Sequence, residues 1–178
     1  MDKAAIRTAL QGRPPVTAEE SERVAEHLRE WLAAQPPSSV LVYLPMPGEV
    51  DVTPVVDERH RWFVTRTPGG RRPLTVHPFA APREIHRFGY EQPVAEAPTV
   101  EPSALDIVLT PSLAFGRDGS RIGWGMGYYD GLFGSAGEAV VAVGITLDRL
   151  LVDSLPTEAH DRWMDWLATD SGVHRVVR

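Results

Sequence analysis

Six short runs of apolar and β-branched residues constrain this chain more than any other feature: SVLVYLP (39–45), WFVTRTP (62–68), LTVHPF (74–79), DIVLTPSLAF (106–115), AVVAVGI (139–145) and DWLATD (165–170). Several are continuous rather than alternating, as strands covered on both faces are. Helical stretches fall between some of them. The clearest, 17–34, opens with a capping box of Thr17 and Glu20 and then repeats apolar residues at Val24, Leu28, Trp31 and Leu32. A second helix is predicted after Thr53, with Pro54 in its first turn, and a third from about Tyr128. This alternation predicts an α/β fold. We expect a single three-layer domain over residues 1–178, a mostly parallel sheet of about six strands flanked by helices, with right-handed crossovers. Ligands in such folds bind at the carboxyl ends of the strands. The Pro- and Ala-rich stretch 80–105 has no periodicity and reads as a long surface excursion.

Composition narrows the function classes. The chain has 178 residues, no cysteine and a net charge of -6. That excludes a disulfide framework and thiolate metal sites, and it argues against non-specific nucleic-acid binding, which needs clustered Lys and Arg. With no signal-peptide core and no apolar run near the ~18 residues of a membrane span, the reading is of a soluble cytoplasmic protein, expected as a monomer. Of the 18 basic residues the only lysine is Lys3.

The stretch RIGWGMGYYD (121–130) carries the chemistry. It follows the strongest strand, and its glycines, Gly123, Gly125 and Gly127, fall at every second position. Backbone without Cβ atoms can approach a ligand closely and aim successive N–H groups at an anion. A helix starting at Tyr128 adds its free amides, and Arg121 a planar fork for phosphate oxygens. The loop reads as a phosphate cradle, though neither a Walker A loop nor GxGxxG. The alternative is a glycine-rich hairpin needed only for chain geometry, with the tyrosines in the core.

Asp130 closes the stretch and either favours the helix dipole or, beside a phosphate, binds magnesium. The C-terminal HDRWMDWLATD supplies a second carboxylate, Asp165, with Asp161 as its rival; spacing does not separate them. Lys3 and Arg7 stand four residues apart on a short helix with Ile6 and Leu10 facing inward, a like-charge pair that a bound anion would reverse. Glu49 and Asp51 lie just beyond the first strand, where a carboxylate can accept hydrogen bonds from a heterocycle or simply be solvated. There is no HExxH, no histidine cluster and no GxSxG elbow. Trp163 and Trp166 read as packing.

Four motifs in order resemble the 5-formyltetrahydrofolate cyclo-ligase family, also called methenyltetrahydrofolate synthetase: KAAIR (3–7), YLPMPGEVD (43–51), TPSLAFGRDGSRIGWGMGYYD (110–130) and LPTEAHDRWMD (155–165). The resemblance implies an enzyme in which MgATP phosphorylates the formyl oxygen of 5-formyltetrahydrofolate, the nitrogen at position 10 attacks, and phosphate leaves to give 5,10-methenyltetrahydrofolate. It places Lys3, Arg7 and Arg121 with Ile122, Gly123, Trp124, Gly125, Met126, Gly127, Tyr128 and Tyr129 on ATP, Arg121 being the catalytic candidate. Leu44, Glu49, Phe88 and the segment from Trp124 to Tyr128 fall to the folate, Asp130 and Asp165 to Mg²⁺. Phe88 precedes GYEQP, which resembles the family's GIxEP. Departures are Met126, where glycine or lysine is usual, Gly131 after the YYD, and a shortened segment after Arg7 in which a further basic residue is missing or replaced by Arg13. Met126 leaves open a catalytically weak relative that buffers folate and nucleotide. A sugar-phosphate isomerase or CoA-transferase-like protein would explain the anion loop without ATP.

Overall fold

The computed structural model describes residues 3–9, 14–69, 73–159 and 161–177, so Leu10 and Arg13 lie outside the described residues. The elements run α1 (Lys3–Ala9), α2 (Ala18–Ala33), β1 (Ser39–Leu41), β2 (Arg61–Arg66), β3 (Thr75–Pro78), β4 (Arg83–Ile85), β5 (Glu91–Pro93), β6 (Ile107–Thr110), β7 (Ala114–Gly116), β8 (Arg121–Ile122), α3 (Tyr128–Ala136), β9 (Val141–Ile145), β10 (Leu151–Val152), β11 (Trp166–Thr169) and β12 (Gly172–Arg175).

The mixed α/β architecture matches expectation, with a central sheet of seven strands in the order β12-β11-β9-β6-β1-β2-β3. Its interior is parallel from β2 through β1, β6 and β9 to β11. The edge strands β3 and β12 run antiparallel to their neighbours. The count exceeds six because β12 follows β11 through a tight hairpin whose GVHR sequence lacks an apolar run.

Alternation along the buried strands sends side chains to two cores. Val40, Val42, Ile107, Leu109, Val143 and Ile145 face one side, where Val24, Ala25, Leu28 and Leu32 of α2 cover them. Leu41, Val108, Ala142 and Leu167 face the other, against Leu132 and Phe133 of α3. The continuous apolar runs are thus explained: each strand is covered twice. Trp166 stacks at a tilt on Trp31 of α2, with centroids 5.5 Å apart, which is the packing role expected of it. Gly144 lets Phe115 lie flat on the sheet, since a Cβ there would stand 2.6 Å from Phe115 Cε1.

Three expectations need correction. The run 106–115 is two strands, not one: β6 stops at Thr110, and Pro111-Ser112 turn the chain into β7, which belongs to a separate three-stranded sheet with β8 and β10. Pro111 has no N–H to extend the ladder, so the apolar run alone overstates the strand. After Thr53 there is a single 3-10 turn, Thr53–Val55, rather than a helix. The stretch 80–105 contains the β4–β5 hairpin and a second 3-10 turn, Pro102–Ala104. Among the described residues, no helix is long and apolar enough to cross a membrane.

Candidate active site

The glycine loop leaves β8 and enters α3 on the carboxyl side of β6. Gly127 caps α3 with φ 67° and supplies no side chain to its first amides. Gly125 also has a positive φ, 93°, and a Cβ there would lie 3.3 Å from Arg7 Cζ. These two glycines are therefore required by conformation and by close approach. Trp124 to Gly127 are exposed, so the loop backbone is open to solvent and not sealed in the core.

The amino-terminal helix comes to the loop. Arg7 Nε donates to Gly123 O at 2.9 Å, and Ile6 packs on Ala114, Ile122 and Leu155. Lys3 Nζ donates to Asp161 Oδ2 at 2.7 Å and lies 3.1 Å from Glu158 Oε1. Burial works to lower the Lys3 pKa, but the bonds from Asp161 and Glu158 outweigh it, so the ammonium is held above its ordinary value. The like charges at positions 3 and 7 are thereby divided between two partners.

Arg121 is a wall of the site, buried at 8% exposure, with its guanidinium bonded to Asp130. Its Nε has no hydrogen-bond partner among the described residues. It lies 5.9 Å from the centre of the Phe133 ring. Tyr129 is enclosed at its hydroxyl end: burial pushes the phenol well above its usual range, Glu49 adds to this, and Arg121 and Thr65 oppose it. Glu49 accepts from Met46 N at 2.9 Å across its own turn. Buried Tyr43, bonded to Val50 O, is pushed up by burial and by the same carboxylate. Tyr43, Glu49, Ser112 and Thr146 line a small cavity at the carboxyl ends of β1, β6 and β9. Leu44 is partly buried beside that end of the sheet and packs on the α2 core.

Two assignments fare differently. Asp165 stands at the amino ends of β9 and β11, where its carboxylate accepts from Ala142 N at 2.9 Å and Arg162 at 2.8 Å. It lines an open cleft with Glu138, Arg162 and Arg175, away from the loop. The structure therefore does not bring Asp165 to Asp130; its rival Asp161 is the one at Lys3. Phe88 sits at the tip of the β4–β5 hairpin with 62% of its surface exposed. Tyr90, in the turn that joins β4 to β5, is partly buried, its hydroxyl donating to Thr67 Oγ1 at 3.1 Å. Sequence reasoning missed Thr65, Tyr90 and Ser112. Tyr90 lay within the quoted GYEQP, while the other two carry no sequence signal.

The model of the 5-formyltetrahydrofolate cyclo-ligase family matches residues 2–170. The chain belongs to this family. It is similar to the 5-formyltetrahydrofolate cyclo-ligase of Mycolicibacterium smegmatis, 31% identical over 94% of this chain and 93% of the relative. The Escherichia coli protein of the same name is 29% identical over 92% of this chain and 97% of its own. A solved structure of the Aquifex aeolicus 5,10-methenyltetrahydrofolate synthetase superposes with a TM-score of 0.78 at 28% identity, covering 100% of this chain and 94% of that one. As a cyclo-ligase family member this chain is a ligase of folate one-carbon chemistry, in a family that uses ATP.

Proposed function

We propose that this cyclo-ligase family member converts 5-formyltetrahydrofolate to 5,10-methenyltetrahydrofolate at the expense of ATP, releasing ADP and phosphate. The Arg7 Nε to Gly123 O hydrogen bond carries the proposal, because it draws the two basic residues of α1 to a glycine turn 116 residues away. A formyl oxygen is a poor leaving group, and phosphorylation converts it to phosphate. The protein's work is then positioning and charge stabilisation.

Lys3 and Arg7 bind the ATP phosphates. Arg121 and the amides of Gly123, Gly125 and Gly127 surround the transferring phosphoryl group, helped by the free first turn of α3. Exposed Trp124 and Met126 and the tyrosines Tyr128 and Tyr129 flank the nucleotide and the folate. Glu49, Leu44 and Tyr129 form the pterin wall, and Tyr90 takes the place first given to Phe88. In the free protein two of these cations hold carboxylates, Lys3 with Asp161 and Arg121 with Asp130. Phosphates bound to Lys3 and Arg121 would free the carboxylates of Asp130 and Asp161, the residues that would hold Mg²⁺. Those carboxylates suit Mg²⁺, which uses one or two from a protein and fills its shell with phosphates and water. When bound, the ion neutralises charge on the phosphate oxygens.

Met126 is 55% exposed and lies in the same open stretch of the loop as Trp124, so its thioether is not packed into the protein. Mixing the protein with MgATP and 5-formyltetrahydrofolate tests the proposal. Growth of the methenyl chromophore is expected. Tight binding of both ligands without product would identify a buffer, and no binding would end the assignment.

A further inference from the structure

Ser112 Oγ is buried and, among the described residues, has no hydrogen-bond partner. A buried hydroxyl left unpaired is unfavourable in the free protein, so its retention calls for an occupant that pairs with it. Its placement says which. Ser112 stands in the break between β6 and β7, where Pro111 has ended the strand, and it borders the cavity shared by Tyr43, Glu49 and Thr146. On its other side is the glycine loop: a Cβ on Gly123 would lie 3.9 Å from Ser112 Oγ and 3.8 Å from Arg121 Nη1. One hydroxyl therefore faces both the carboxylate-lined pocket and the guanidinium beside the turn.

Resting on the function proposed above, we infer that Ser112 donates a hydrogen bond to a non-bridging oxygen of the phosphoryl group as it passes from ATP to the formyl oxygen. In that reading the group in transit stays between Arg121 and the folate through both halves of the reaction. In the first half, the formyl oxygen forms its bond to phosphorus as the bond to the ADP oxygen breaks. In the second, nitrogen forms its bond to the formyl carbon and passes its proton to the departing phosphate, as the carbon–oxygen bond breaks with its electron pair leaving on that phosphate. Ser112 keeps its proton throughout. Arg121 supplies charge from one side, and Ser112 supplies a neutral donor fixed by the β6–β7 turn from another. A donor placed where charge spreads over the equatorial oxygens stabilises the transition state more than the ground state.

The test is Ser112→Ala, with Ser112→Gly as a second variant. Loss of one hydrogen bond to a charged group should lower kcat about 10- to 100-fold. KM for 5-formyltetrahydrofolate and the affinity for ADP alone should stay unchanged, while ADP with aluminium fluoride, a mimic of the group in flight, binds more weakly. The melting temperature should hold or rise, because the hydroxyl removed was unpaired. Wild-type kcat in both variants overturns the inference, as does a fall of several degrees in melting temperature, which would mark the hydroxyl as structural. A wild-type protein that forms no methenyl product fails the function proposed above instead, so the two failures are distinct.

Discussion

Arg121 illustrates how burial changes what a residue proposed to bind phosphate does for stability. Its side chain is 7% exposed and bonded to the Asp130 side chain, which is 27% exposed, so it is part of the packed structure as well as a neighbour of the glycine loop. Arg121→Ala should abolish turnover and also cost about 1–3 kcal/mol of stability, since Asp130 is left without its partner in a partly desolvated place. Chemical denaturation alongside the assay checks both. The carboxylates allow a sharper comparison. Asp161→Asn should raise the Mg²⁺ concentration needed for half-maximal activity by about 10-fold or more, whereas Asp165→Asn should leave the magnesium titration in place, because Asp165 holds Ala142 N and Arg162 at the other end of the sheet. Equal shifts in the two variants would put the metal elsewhere. Both aspartates belong to one motif, and only their chain neighbours in space separate them.

At the level of elements, α2 was the most legible. Its capping box is formed as the sequence implies, with Thr17 Oγ1 accepting from Glu20 N and Glu20 Oε2 accepting from Thr17 N. The partner the sequence could not reveal is Arg149, 129 residues away, whose Nε reaches Glu20 Oε1 at 2.7 Å. The bond from Arg149, reinforced by the Thr17 amide, holds the Glu20 carboxyl down to about 2 from an ordinary 4.5. A depressed carboxylate stabilises the fold above its unfolded pKa and loses that contribution as pH falls through the folded one. The melting temperature of wild type should therefore exceed that of Glu20→Gln at neutral pH, and the gap should close between pH 4.5 and about 2. A gap that persists to the lowest pH would exclude the ion pair as its source. The element that failed, a helix after Thr53, had the proline signal but lacked an apolar stripe to bury. The chain there closes a 3-10 turn through Val55 N to Val52 O.

For the whole molecule, stability is unevenly distributed. The central sheet is covered by α2 on one face and α3 on the other, while α1 has seven residues and buries none of them. A helix that short is marginal by itself. It is held by Lys3 to Asp161, Arg7 to Gly123 and the packing of Ile6, all contacts within the site. Amide hydrogen exchange should be fastest in α1 among the helices, and MgATP should slow it, since in the proposed function the nucleotide bridges α1 to the glycine loop. Exchange in α1 indifferent to nucleotide would separate that helix from the site.

The alternating pattern of apolar runs and one capped amphipathic helix determined an α/β sheet, because periodicity and burial are local properties that hydrophobicity writes directly into residue order. The glycine spacing likewise determined a turn of open backbone. Tertiary structure alone decided that Asp161 and not Asp165 meets Lys3, that Tyr90 and not Phe88 is partly buried, that Arg121 is buried, and that an unpaired hydroxyl at Ser112 looks onto the glycine turn. Those outcomes depend on which segments meet in space, whether 158 positions apart as Lys3 and Asp161 or 23 apart as Tyr90 and Thr67, and such contacts leave no period in a chain to be read.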